Sequence, residues 1–176
     1  MRSSVGHIRS CADAATRDLS IIHFTRMIRT ALELKYGSCL LTEHGRMQVC
    51  KSDSTADAHC YHAHFLLFPG APAIKDNARP YFAKISTHAT LQEALATAEG
   101  QSEYFLFSPK PHQFFVMSRP GRFIRQFARL LVAEAIGLPQ MADWARFPNR
   151  EQAEATAANL RTLIPMESRA LWEEKK

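Results

Sequence analysis

His62-Ala63-His64-Phe65-Leu66-Leu67-Phe68-Pro69 is the stretch on which the fold of this chain turns. It reads as a β-strand, in which successive side chains point to opposite faces. Cys60, His62, His64 and Leu66 then share one face, and Tyr61, Ala63, Phe65 and Leu67 share the other, which is apolar and fit to bury. Two imidazoles about 7 Å apart on a rigid, half-buried strand suit phosphate chemistry or a metal. Pro69-Gly70 closes the strand.

Upstream, residues 12–35 read as a helix, with Ile21, Phe24, Ile28, Ala31 and Leu32 at helical spacing. Arg26, Arg29 and Glu33 fall largely outside that stripe, and Gly37 ends the helix. Residues 38–43 and 46–50 read as a β-hairpin turning at His44-Gly45. Residues 51–58 form a polar loop.

Downstream, residues 71–80 hold two prolines, Pro72 and Pro80, and read as a surface loop, followed by a short strand at 82–86. Thr90-Leu91-Gln92-Glu93 is a capping box that starts a helix over 91–99, with Gly100 as its stop. Residues 104–108 and 113–117 read as a second hairpin around Pro109-Lys110-Pro111. A helix over 121–136 ends at Gly137, and a last helix spans roughly 150–163. The aromatic cluster Tyr104, Phe105, Phe107, Phe114 and Phe115 is assigned to the core, with Trp144. The pattern is α+β with a mainly antiparallel sheet.

The chain has 176 residues, 46% hydrophobic and 22% charged, which reads as one ordinary soluble globular domain. No apolar run approaches the ~20 residues that span a bilayer. The N-terminal Met1-Arg2-Ser3-Ser4-Val5-Gly6-His7 has no apolar core behind its charge, so a secretory signal is not expected and the default location is cytoplasmic. Cysteines at 11, 39, 50 and 60 show no paired spacing and read as free thiols. The net charge of +5 favours anionic ligands such as nucleotides. No nucleic-acid-binding motif is present.

Glu43-His44-Gly45 lies shortly before His62-x-His64-x-Leu66, and Pro69 fixes the register. Together they resemble the histidine-triad (HIT) superfamily of nucleotide hydrolases and transferases, with Leu66 in place of the third histidine. Gln126-Phe127-Ala128-Arg129, Ala133-Glu134-Ala135-Ile136-Gly137 and Asp143-Trp144-Ala145-Arg146 resemble the C-terminal part of a bacterial-type branch, and His7-Ile8-Arg9-Ser10 resembles the stretch leading into the first helix. The resemblance implies a HIT-like antiparallel sheet with packed helices, its core over about 7–118 and a helical extension over about 119–176. It also implies several dozen residues ahead of the position of His7, a boundary with which Met1 almost coincides. Those residues build much of the base and ribose pocket, and a partner chain would cover the sheet edge they leave open.

By this resemblance His64 is the nucleophile that attacks the α-phosphorus of a nucleotide, and His62 helps set its hydrogen-bond network. Leu66 cannot assist the leaving group, so turnover would be slow and leaving-group selective. A hydrogen-bonded structural histidine pair is the alternative, and with it a degenerate module that binds nucleotide or phosphate without turnover or serves as an interaction domain. Glu43 and His44 either steady the catalytic strand and phosphate or make a hairpin turn with solvated side chains. Ser54, with Ser52 and Thr55, could donate to phosphate from its loop, or be solvated. Arg122, Arg125 and Arg129 share a helix face bordered by Gln126; Gln126 and Arg129 carry extra weight for phosphate capture. Cys50, His59, Cys60, His62 and His64 are ligand types for zinc, but their spacing fits no standard pattern. No metal or other cofactor is expected beyond a divalent ion arriving with the nucleotide. The expected partners are a nucleotide-derived small molecule and a second copy of the chain, joined through the sheet and first helix as the family commonly is, with no membrane.

Overall fold

The structure, a computed structural model, describes residue 11 and residues 19–45, 64–120, 126–143 and 146–163. Five strands form one antiparallel sheet in the order β2-β1-β4-β5-β3. They are β1 (Cys39–Gly45), β2 (Leu66–Pro69), β3 (Phe82–His88), β4 (Tyr104–Lys110) and β5 (Gln113–Pro120). The helices are α1 (Ser20–Tyr36), α2 (Lys75–Ala78), α3 (Leu91–Glu99), α4 (Phe127–Ala135) and α5 (Arg150–Leu163), with 3-10 turns at Arg79–Tyr81 and Pro139–Ala142. The fold is α+β.

Alternation along the strands sends side chains into two cores. On one face Leu41, Tyr104, Leu106, Phe114 and Val116 pack with Ile22 of α1 and Leu91, Ala94, Leu95 and Ala98 of α3. On the other, Leu40, Phe105, Phe107, Phe115 and Met117 pack with Phe127, Ala128 and Leu131 of α4 and with Ala78 of α2. All five aromatics assigned to the core are buried. β2 and the residue before it feed both cores: Phe65 and Leu67 pack on the first, Leu66 and Phe68 on the second. The expected half-buried strand is therefore covered on both faces.

Local codes hold where they are self-contained. Gly37 stands at φ 79 and its N–H returns to the Glu33 carbonyl at 2.8 Å, closing α1. Thr90 Oγ1 accepts from the Glu93 N–H at 3.1 Å, while the Glu93 carboxylate accepts from the Thr90 N–H, so the capping box is complete. α5 has the expected bounds.

Four expectations are corrected. β1 does not turn at His44-Gly45 but runs on through them, paired with Phe105 and Tyr104; the 46–50 arm lies outside the described residues. The 71–80 stretch is not plain loop, since α2 and a 3-10 turn shield Ile74 and Ala78 in the second core. α4 begins at Phe127, after Gln126 in the left-handed region at φ 59. The buried side of α1 carries Ile22, Thr25, Arg29 and Leu32, about one residue round from the expected stripe. Arg29 can be only 5% exposed because each guanidinium nitrogen has a partner: Glu33 at 2.8 Å, and Ser108 Oγ and carbonyl at 2.6 and 3.3 Å.

Candidate functional site

Glu43 and His44 are neighbours on β1 and so face opposite sides of the sheet. Glu43 is 1% exposed. Its carboxylate accepts the Cys11 N–H at 2.5 Å and the Tyr104 hydroxyl at 2.7 Å. Tyr104 reaches it by lying across Gly45, where an added Cβ would come within 1.9 Å of the ring. The Glu-His-Gly run is thus a buried carboxylate, an imidazole on the far face and a residue with no side chain to block the tyrosine. It is neither a turn nor solvated. The negative charge of Glu43 and, more strongly, burial push the Cys11 thiol up, far from the reactive range.

His44 stands on the second face, stacked on Phe105 with centroids 5.9 Å apart. Its Nε2 accepts the backbone N–H of Ala128, in the first turn of α4, at 3.2 Å. No side chain of Gln126 caps this helix; an imidazole from the sheet takes over one of its open donors. Accepting at Nε2 leaves the proton of the neutral ring on Nδ1. Burial, with a smaller push from His64, lowers the His44 pKa to about 4. His44 is accordingly a neutral ring at ordinary pH.

His64 precedes β2 on the same side as Leu66 and Phe68. Thr42 pairs with Leu66, so two residues further the register brings His64 opposite His44. The rings meet edge to face, 6.4 Å between centroids and 83° between planes. His64 is exposed where His44 is sheltered.

The structure therefore brings together His44, His64 and the start of α4, with Gln126 just ahead of the helix and the exposed Arg129 in its first turn. The partial positive charge of a helix N-terminus favours an anion at such a place. Glu43 is not part of this constellation. His62 and Ser54 lie outside the described residues, as do Arg122, Arg125, Cys50, His59, Cys60 and Trp144. Among the described residues no three His, Cys, Asp or Glu side chains converge as a metal would require. A groove of about 630 Å³ beside Lys75, Arg79, Phe82 and Ile85 lies on β3, at the opposite edge of the sheet from β2.

Reading the residues alone missed the bond from α4 to His44 and the Glu43–Tyr104 pair between neighbouring strands. Neither leaves a local signature beyond the Gly45 that the tyrosine needs. Comparison with family models, with curated proteins and with solved structures gives no match. Among the described residues no helix is long and apolar enough to cross a membrane.

Proposed function

We propose that this chain is a HIT-like nucleotide hydrolase or nucleotidyltransferase that works through a covalent nucleotidyl-His64 intermediate. The observation that carries the reading is the exposed His64 ring set against a half-buried neutral His44 that is itself bonded to the first turn of α4. A ring nitrogen of His64 attacks the α-phosphorus. The P–N bond forms as the bond to the leaving group breaks, and the leaving group departs with the electron pair. Water or an acceptor hydroxyl then attacks phosphorus, loses its proton and releases the imidazole. Gln126, Arg129 and the helix terminus stabilise the phosphoryl oxygens. His62 and Ser54 belong to the same proposed site. Glu43, bound on the far face, holds β1 in place. A second copy of the chain is the expected macromolecular partner.

One observation favours the second reading, a module that binds nucleotide or phosphate without turnover. Leu66, in the third position of the triad, packs into the second core and presents no hydrogen-bonding group. Missing acid assistance at the leaving group costs ~10²–10⁴-fold.

Intact-mass spectrometry under an alkaline quench, which preserves P–N bonds, separates the two. The protein is incubated with adenosine phosphoramidate, dinucleoside polyphosphates, nucleoside triphosphates and nucleotide sugars. A mass gain of one nucleoside monophosphate, absent in His64→Ala, is the expected result. No adduct and no product with a folded protein overturns the catalytic reading; saturable nucleotide binding would then establish the second.

A further inference from the structure

α5 is a 14-residue helix, about 21 Å long. Residues 150–159 are exposed without exception and Leu160 is half-buried. Helices shorter than ~12–15 residues are marginal in water on propensity alone, and most of their stability comes from packing an apolar face. The segment leading into α5 adds to the exposed apolar surface: Ile136, Leu138, Met141 and Phe147 are 50%, 44%, 37% and 43% exposed. Single exposed apolar residues are ordinary, but four within twelve positions, next to an uncovered helix, are a surface.

The sequence of α5 specifies what fits that surface. Ala153, Ala157 and Leu160 follow the 4-3 spacing of a coiled-coil seam. Glu154 and Arg161 stand one heptad apart, so both border the same flank of the seam. In a parallel pair of identical helices, residues on one flank meet the opposite flank of the partner. In an antiparallel pair, like flanks meet. Antiparallel pairing of α5 with itself sets Glu154 against Arg161 of the other copy, and the two-fold axis repeats that ion pair. The axis passes beside Ala157 and Ala158, whose small side chains allow close approach. The helix is thus complementary to itself in one direction only, as a two-fold interface demands.

We infer that α5 pairs antiparallel with α5 of a second copy, and that this C-terminal arm forms a homodimer interface. It differs from the sheet-and-first-helix interface that the resemblance implies, and it is independent of whether His64 is catalytic.

Sedimentation velocity of the full chain over a wide concentration range tests it. The wild type sediments as a dimer. Glu154→Arg sets arginine against arginine and Arg161→Glu sets glutamate against glutamate, so each weakens the dimer at least about tenfold. An equimolar mixture of the two variants regains wild-type affinity, because each then supplies the charge the other lacks. Both substitutions sit on an exposed helix and leave folding untouched, which circular dichroism verifies. A wild type that stays monomeric, single variants that dimerise like the wild type, or a mixture that fails to recover overturns the inference.

Discussion

His44 shows how much one imidazole can be asked to do. It accepts a helix N–H, stacks on Phe105 and faces His64, and all three roles need the neutral ring or tolerate it best. Its pKa is about 4 folded, against an ordinary value near 6.5. Between those values the unfolded chain binds the proton that the folded one refuses. The stabilisation is therefore complete above about pH 6.5 and is lost as pH falls toward 4, by up to about 3 kcal/mol. Urea unfolding across pH 4–7 should show this slope, and His44→Gln should flatten it. On the other face of β1, Tyr104→Phe leaves Glu43 short of a buried donor and should cost about 1–3 kcal/mol. Glu43→Ala should cost at least as much, and the double variant less than the sum, because the two changes remove one shared bond. A strictly additive result would mean the pair is not coupled.

At the scale of elements, what is legible in the residues depends on how far away the cause lies. The capping box at Thr90, the stop at Gly37 and the bounds of α5 follow from neighbours within a few positions, and each is where local reasoning puts it; the β4–β5 hairpin forms as well, but Pro109 and Lys110 stay in β4 and the turn is Pro111-His112. The course of β1 is not, because Glu43-His44-Gly45 is a good turn by composition and becomes strand only through Tyr104, 61 residues on. Arg29 misleads in the same way: a guanidinium reads as solvent-facing until Ser108, 79 residues away, supplies its partner. Arg29→Met removes that charge from α1 but takes the guanidinium donors away from Glu33 and from the buried Ser108 carbonyl, while the Ser108 hydroxyl keeps its bond to the Lys110 carbonyl. It should destabilise by about 1–3 kcal/mol, more than the same change at the exposed Arg26, and thermal melts of the two variants make the comparison. The site is legible in part. His64 and His44 could be singled out from the residues, but not that they face each other while Glu43 looks the other way.

Across the whole molecule, the sheet separates two chemical environments. The α1 and α3 side is sealed around Glu43, Arg29 and Cys11, and the α2 and α4 side opens at His64. Thiol chemistry should register that division. Burial lifts Cys11 strongly and Cys39 to about 11, so alkylation of the folded protein at neutral pH should leave both unmodified, with peptide mapping as the readout and the denatured protein as control. Rapid labelling of either residue would mean that this side opens readily. The groove beside β3 stands at the far edge from His64, so Lys75→Ala and Arg79→Ala should leave nucleotide adduct formation unchanged.

The opposed directions of Glu43 and His44 constrain the gene in an unequal way. Exchanging one aliphatic residue for another along Cys39–Leu41 preserves which side each later position serves. Inserting or deleting a single codon there does not: it would turn the carboxylate toward α4 and the imidazole toward Tyr104, stranding both at once. The fold should therefore tolerate a change in the length of this seven-residue strand less well than a change in the identity of its aliphatic members. In a library of random codon changes, in-frame single-residue indels across β1 should be depleted from the folded pool far more than conservative replacements at the same positions.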